Sequence, residues 1–188
     1  MMQMLLEANA SIHARTSSSK RTPLMAAAQG GHAACIRALV GSDQCTPEMV
    51  NACDHPQQAT ALTFAAKMGH VEATEALLAA SADPLLADAT EATPMMYASK
   101  RGSLPIVDLL IRAAKNGSGS VSGSVTPSLA RSLPIAAKAG HVPIVQLLAS
   151  HGAPVQPFLT RAAMEGDSAM MLVLLKAGAA SDIDLASE

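Results

Sequence analysis

Large aromatic side chains are scarce in this 188-residue sequence. Aromatic residues make up 2% of the chain, namely Phe64, Tyr97 and Phe158, and tryptophan is absent, although 49% of the residues are hydrophobic. This scarcity excludes a core built on large side chains. The interior must instead be filled by Ala, Leu, Ile, Val and Met in closely approaching helices, as in short stacked helical pairs.

The sequence also lacks strong net charge, a signal peptide and a long apolar run. A formal net charge of −2 gives no overall attraction to nucleic acid or to an anionic membrane. The first ten residues have no basic segment and include Glu7, so they make a poor signal peptide. No apolar run approaches the roughly 18 to 20 residues that a transmembrane helix needs. We therefore expect no nucleic-acid partner and no membrane insertion.

Cysteines are few and odd in number. Cys35, Cys45 and Cys53 are the three in the chain, which disfavours a disulfide framework and favours a reducing compartment. We expect an intracellular, cytoplasmic protein. His55 and His32 lie near these cysteines, but zinc-binding C-x-x-C spacing is absent and Cys35 fits an apolar helix stripe. The sequence predicts no metal site, no cofactor and no cysteine nucleophile.

One sequence pattern recurs along the whole chain. It reads TALTFAAKMGHVEATEALL at 60–78. The other copies are TPLMAAAQGGHAACIRALV at 22–40, TPMMYASKRGSLPIVDLLI at 93–111, RSLPIAAKAGHVPIVQLLA at 131–149 and a weaker PFLTRAAMEGDSAMMLVLL at 157–175. The aligned glycines Gly31, Gly69, Gly102, Gly140 and Gly166 lie 38, 33, 38 and 26 residues apart.

The spacing of 33 residues equals the period of the ankyrin repeat, and the copies resemble the T-P-L-H-x-A core of that repeat. The resemblance runs from the first residues to about Ser181. It implies an all-α ankyrin-repeat solenoid, made of helix-turn-helix repeats joined by finger loops. It also implies a module that binds another protein, without saying which one.

The repeat pattern predicts a domain over 1–181 with these divisions: a half repeat at 1–19, repeats at about 20–57, 58–90, 91–128, 129–154 and 155–181, and a disordered acidic tail at 182–188. The first helix of the half repeat is missing, which leaves Met1–Leu6 without a neighbour to cover its apolar side chains. We interpret this as the trimmed end of a longer chain, with a frayed helix or a covering second chain as alternatives.

Two of the spacings between aligned glycines are five residues longer than the family period of 33, so the links within them contain extra residues. The first excess falls in 41–58, where Thr46–Glu48 could start an extra helical turn. The second falls in 116–130, whose Gly- and Ser-rich part, 116–126, predicts a mobile loop. The last link, by contrast, is seven residues short of 33, so 151–156 has room for a turn but not for a full finger.

Local signals mark where the helices begin. Thr22 can cap a first helix with its hydroxyl, and Pro23 follows where a missing N–H group costs nothing. Pro105 and Pro143 sit in the first turns of second helices, where proline is tolerated. Asp167 is a good N-cap for the last helix.

The family resemblance implies that partners contact the fingers and the exposed face of each first helix. Lysine recurs two positions before three consecutive aligned glycines, at Lys67, Lys100 and Lys138. Such a row suits an acidic or phosphorylated segment of a partner protein. Equally, lysine can be a soluble, helix-favouring residue at an exposed site. The predicted contact residues on the concave face are Arg21, Gln29, Lys67, Met68, Lys100, Arg101, Arg131 and Lys138.

His32, His70 and His141 follow the helix-ending glycine of their repeats. The resemblance implies a structural role, in which the imidazole bonds backbone of the neighbouring repeat. Tyr97 could belong to the core or to the contact surface.

We predict a protein-interaction module or scaffold and no enzyme, because no set of base, nucleophile and oxyanion donor emerges. One alternative is the substrate-docking or regulatory segment of a larger enzyme, such as a kinase or ubiquitin ligase. Another is self-association through Met1–Leu6.

Overall fold

The computed structural model describes residues 14–117 and 125–184, which form an all-α fold. Eleven helices lie within this part of the chain: α1 (Pro23–Gln29), α2 (Ala33–Val40), α3 (Pro47–Val50), α4 (Ala61–Met68), α5 (Val71–Ala79), α6 (Pro94–Arg101), α7 (Leu104–Lys115), α8 (Val125–Lys138), α9 (Val142–Ser150), α10 (Gln156–Glu165) and α11 (Ser168–Asp184). An isolated antiparallel bridge joins Cys53 to Thr60.

The helices form pairs that stack in chain order. The first helices α1, α4, α6 and α8 pack on one another in sequence, and so do the second helices α2, α5, α7 and α9. Each pair therefore contacts only its neighbours, which is the arrangement of a solenoid. The predicted all-α fold is confirmed.

Threonine and proline set the starts of the first helices. The Thr22 and Thr60 hydroxyls accept hydrogen bonds from the backbone N–H groups of Met25 and Thr63, at 3.3 and 3.2 Å. Pro23 lies in the first turn of its helix, where it sacrifices no hydrogen bond. The predicted N-cap role of Thr22 is confirmed.

Cross-repeat hydrogen bonds join the pairs. His70 Nε2 donates to the carbonyl of Gln29 at 3.1 Å, and His141 Nε2 donates to that of Lys100 at 3.4 Å. Both carbonyls lie two residues before an aligned glycine, so the structural role predicted for these two histidines is confirmed. The carbonyl that His32 would bond belongs to the preceding repeat. That carbonyl would lie before residue 14 and so outside the described residues.

The third copy, which has no histidine after its aligned glycine, uses an arginine instead. Ser103 occupies the histidine position, and Arg101 Nη1 donates to the carbonyl of Lys67 at 3.4 Å. The Arg101 side chain crosses Gly69, where an added Cβ would lie 2.3 Å from Arg101 Nε. Because Gly69 also has a φ of 82°, a side chain there would meet both a clash and backbone strain.

Small and aliphatic side chains fill the core, as predicted. The largest fully buried side chains are Met25, Ile36, Leu62, Leu77, Met95, Ile106, Leu110, Ile111, Leu129, Leu133, Ile144 and Leu148. Phe64 is the one aromatic residue among the buried positions described. Alanines complete the interior and allow neighbouring first helices to approach closely.

The two long links differ in structure. The predicted extra helical turn is confirmed as α3, which follows Thr46. Most of the loop predicted at 116–126 lies outside the described residues, but Val125 and Thr126 already belong to α8. Helix α8 thus begins before the predicted boundary at 129. Pro127 falls in its first turn, where proline is compatible with a helix, and Pro134 lies in its interior.

The last pair departs from the stacking of the others. Helix α11 packs against α9 and α8, whereas α10 makes its extensive contact with α11 alone. Because the preceding link is short, α10 is left largely uncovered, with Ala162 as its fully buried residue and Met164 84% exposed. Asp167 caps α11 through the N–H group of Met170 at 3.0 Å, as predicted. The helix runs to Asp184, three residues into the predicted tail; 185–188 lie outside the described residues.

Unsatisfied hydroxyl groups lie between the third and fourth pairs. Ser99 on α6 and Ser132 on α8 are fully buried, and neither hydroxyl has a hydrogen-bond partner. Nearby, the hydroxyls of Thr93 and Ser128 bond each other at 3.0 Å. This junction therefore contains both satisfied and unsatisfied buried polar groups.

We predict that Ser132→Ala raises the free energy of unfolding by about 1 kcal/mol, since it removes a buried hydroxyl that has lost its hydrogen bonds to water. Ser128→Ala is the matched control on the same helix. It leaves Thr93 without its partner and should lower stability by about 1 kcal/mol. Urea unfolding of both variants measures the difference, and equal effects of the same sign would contradict the assignment.

Candidate functional site

The charged residues on the first helices of the first four pairs are all basic. Helices α1, α4, α6 and α8 contain no acidic residue. Their basic residues are Lys67, Lys100, Arg101, Arg131 and Lys138. Acidic residues such as Glu72, Glu75 and Asp108 lie instead on the second helices α5 and α7. A chain of net charge −2 thus has a locally basic surface, which we call the first-helix face: the exposed side of these four helices.

The three predicted lysines occupy matching places on this face. Lys67, Lys100 and Lys138 are exposed in the last turns of α4, α6 and α8. A positive charge is favourable there because a helix has a negative C-terminal end. Within the described residues none of the three forms an ion pair. Their ammonium groups are therefore available to an outside anion.

The predicted contact arginines, in contrast, have hydrogen-bond or ion-pair partners within the chain. Arg21 Nε lies 3.4 Å from Asp54 Oδ2, and its Nη1 donates to Gln29 Oε1 at 3.0 Å. Its guanidinium also lies 4.6 Å from the centre of the Phe64 ring. Arg131 is 3.4 Å from the carboxylate of Glu91.

These contacts divide the eight predicted contact residues into two groups, according to whether the side chain has a hydrogen-bond or ion-pair partner within the chain. Arg21, Gln29, Arg101 and Arg131 have partners within the chain. The other members are the three lysines and Met68, which is 38% exposed. The sequence alone did not distinguish these two groups, and it predicted all eight residues as contacts for a partner.

Two buried aspartates organise the loops beside the first-helix face. We call these loops finger A (53–59) and finger B (87–92). In finger A, Asp54 Oδ1 accepts the N–H group of Ala59 at 2.8 Å. In finger B, Asp88 Oδ1 accepts from the Thr90 hydroxyl and from the N–H groups of Thr90 and Ala92, at 2.6, 2.8 and 3.1 Å.

The sequence reasoning missed both aspartates. The available signal was an aspartate five or six residues before the threonine at the N-cap position of the next first helix. Aspartate favours such loops because its carboxylate can accept bonds from backbone N–H groups nearby.

The fingers are also hydrogen-bonded to one another. The His55 N–H group donates to the carbonyl of Ser19 at 2.9 Å, and the Ala89 N–H group donates to that of Gln57 at 2.8 Å. Finger A is therefore tied to the loop that contains Ser19, and finger B is tied to finger A. Such a surface is largely formed before any partner arrives.

A cleft of about 290 Å³ opens between the two fingers and the helices α4 and α6. Its apolar lining consists of Pro56, Ala59, Phe64, Ala89 and the ring of Tyr97. Lys67 also lines the cleft, with its Nζ 5.3 Å from the centre of the Tyr97 ring. Tyr97 is half-buried in this wall, so it belongs to the accessible surface as well as to the packing.

Asp88 and Tyr97 are coupled through a short hydrogen bond, in which Tyr97 Oη donates to Asp88 Oδ2 at 2.6 Å. Burial by itself raises the pKa of Asp88, but hydrogen bonds from Thr90, Tyr97 and backbone N–H groups outweigh it and hold that pKa below its usual value. The bond to Asp88, followed by burial, raises the pKa of Tyr97. The carboxylate is thus ionised and the phenol neutral at physiological pH.

The three cysteines do not form a metal site in the described part of the chain. Cys35, Cys45 and Cys53 are free thiols, and burial raises the pKa of Cys45, which disfavours the thiolate that a metal would need. In the part of the chain that the structure describes, no group of three or more His, Cys, Asp or Glu side chains could hold a metal ion.

Stacked helix pairs, fingers tied in series and imidazoles that bridge neighbouring repeats define a helical-repeat solenoid. A family model described as ankyrin repeats (3 copies) matches residues 1–88, 47–119 and 74–158. The chain belongs to the ankyrin-repeat family, as the sequence predicted. Such repeats are in general non-catalytic modules that bind other proteins. Among the described helices, none is long and apolar enough to cross a bilayer.

A curated relative supports the same family. The chain is 33% identical over 97 residues to the ankyrin repeat and KH domain-containing protein mask-1 of Caenorhabditis elegans. The match covers 52% of this chain and 4% of that protein. The chain therefore corresponds to a small part of the length of this relative.

We predict that Tyr97→Phe raises the pKa of Asp88 and lowers the free energy of unfolding at pH 7 by about 1 to 2 kcal/mol, because it removes a hydrogen bond to a charged group. The aromatic ring beneath Lys67 is kept. Carbon NMR of the Asp88 carboxyl group during an acid titration measures the pKa.

The difference in the free energy of unfolding between the wild type and Tyr97→Phe should decrease at both low and high pH. The lowered pKa of Asp88 contributes stability above its unfolded-state value, near 3.9, which is lost as pH falls through the folded pKa. The raised pKa of Tyr97 contributes stability below about pH 10, which is lost as pH rises through the folded value. A difference that stays constant from pH 2 to pH 11 would contradict the coupling.

Proposed function

We propose that this chain is an interaction module or scaffold that binds a partner protein through its concave surface, made of the first-helix face and the fingers. We propose further that the partner presents an acidic or phosphorylated segment. The observation that carries this proposal is that the charged residues of α4, α6 and α8 are all basic, while α1 has no acidic residue.

The contrast between the basic residues supports the same proposal. Arg21, Arg101 and Arg131 have partners within the chain, whereas Lys67, Lys100 and Lys138 form no ion pair within the described residues. A row of unpaired like charges is unfavourable for the free protein, and an anionic ligand would relieve that repulsion. The alternative, that the lysines serve only solubility, predicts no such ligand.

The preformed geometry supports binding without large rearrangement. The fingers are fixed by the carboxylates of Asp54 and Asp88 and by the hydrogen bond from Ala89 to Gln57. A surface that is ordered in advance loses less conformational entropy on binding. Two other hypotheses stay predictions: the docking segment of a larger enzyme, and self-association through Met1–Leu6, which lies outside the described residues.

We predict that the triple variant Lys67→Glu, Lys100→Glu, Lys138→Glu weakens binding of a fluorescein-labelled hexaglutamate peptide about tenfold or more, a loss of at least about 1.4 kcal/mol. Fluorescence anisotropy measures the affinity. The wild-type affinity should fall as the salt concentration rises, because the contacts are between exposed charges.

The matched control reverses three exposed basic residues on the second helices: Arg37→Glu, Lys115→Glu, Lys176→Glu. Both triple variants change the net charge equally, so the control separates a local effect from a general one. The control should bind nearly as well as the wild type. Equal weakening by the two variants, or none by either, would refute the proposed surface.

A further inference from the structure

We infer that the cleft between finger A, finger B and helices α4 and α6 is an anchor site for one large apolar side chain of the partner, next to an acidic residue. This inference rests on the proposed function, since it names the part of the partner that the same surface recognises.

The size of the cleft limits what it can hold. Its volume of about 290 Å³ is just below the roughly 300 to 1,000 Å³ typical of small-molecule sites. A single side chain of an extended peptide fits such a volume better than a cofactor does. Sites of this kind, in which one apolar or aromatic anchor fills a pocket, contribute much of the affinity of protein interfaces.

The lining determines the polarity of the occupant. Pro56, Ala59, Phe64, Ala89 and the Tyr97 ring present apolar surface. Gln57, Thr63, Thr90 and Asp88 also line the cleft. The Thr63 hydroxyl is bonded to that of Thr60, and the Asp88 carboxylate already accepts four hydrogen bonds, from Thr90 (two), Ala92 and Tyr97. It is therefore poorly placed to receive a further donor. An apolar side chain leaves these bonds intact.

The positive charge of Lys67 at the edge of the cleft favours an acidic residue next to the apolar anchor of the ligand. Lys67 Nζ lies over the Tyr97 ring at 5.3 Å, so a cation stands at the cleft itself. It disfavours a cationic occupant and attracts a carboxylate. Because consecutive Cα atoms are about 3.8 Å apart, a residue adjacent to the anchor can reach Lys67. The favoured ligand is thus an apolar residue flanked by Glu or Asp.

The walls of the cleft are fixed in the free protein. Finger B is joined to finger A through the bond from Ala89 to Gln57, and to α6 through the bond from Tyr97 to Asp88. Phe64 is 5% exposed and is held on α4. The site therefore exists before the ligand binds, which favours affinity for a short peptide.

Four fluorescein-labelled peptides test the inference by anisotropy. Each has Phe or Ala at its centre, flanked on both sides by two Glu or two Gln residues. The Phe peptide with Glu flanks should bind the wild-type chain about tenfold or more tightly than the Ala peptide with Glu flanks, since burying a large apolar side chain favours binding to that extent. The flanking Glu residues should strengthen binding of both.

A cleft-filling variant locates the effect. Ala89 is exposed in finger B, so Ala89→Leu adds bulk at the cleft without disturbing the core. It should reduce binding of the Phe peptide to the level of the Ala peptide. Ala87→Leu is the control, because Ala87 is exposed in the same finger but outside the lining of the cleft. It should leave the preference for Phe unchanged.

The outcomes separate the two proposals. Equal binding of the Phe and Ala peptides with Glu flanks, still weakened by the triple lysine variant, would overturn the anchor site and leave the proposed function standing. A preference for Phe that Ala89→Leu does not remove would also overturn it. Equal binding with Glu and Gln flanks, blocked by Ala89→Leu, would support the cleft and overturn the acidic partner. Failure of all four peptides to bind would overturn both.

Discussion

Close packing between alanine-rich first helices is the constraint on which the rest of this structure depends. No single helix pair can bury its apolar face by itself, so each is stable only against its neighbours. Fully buried alanines at the junctions, such as Ala28, Ala65, Ala66, Ala98 and Ala136, allow that contact. Large aromatic residues would hold the helices apart, which explains why a chain so poor in them can still build a continuous core.

The same close approach creates the surface that faces outward. It brings the carbonyls two residues before Gly31, Gly69 and Gly102 within reach of His70, Arg101 and His141 of the following repeats. The side chain of that same residue then points away from the junction and remains exposed, as at Lys67 and Lys100. Stacking thus uses the backbone of these residues for stability and leaves their side chains for a partner.

The sequence predicted features that depend on neighbours close in the chain or at the repeat spacing, and it missed contacts made by the irregular fingers. Thr22 and His70 act as predicted because each depends on neighbours at fixed spacing. The substitution of Arg101 for a histidine could not be predicted, since it comes from one position before the glycine. Likewise, the bond from Tyr97 to Asp88 joins a helix to an irregular finger, where only tertiary structure sets the distance.

Amide chemical-shift mapping of the chain with the Phe-centred, Glu-flanked peptide would show which surface binds. If the first helices and fingers form the binding surface, the shifts should concentrate in finger A, finger B, α4 and α6, and extend toward Lys138 on α8. The second helices α5 and α7 should change little. Shifts centred on those second helices, or on the uncovered surface of α10 around Met164, would contradict the account.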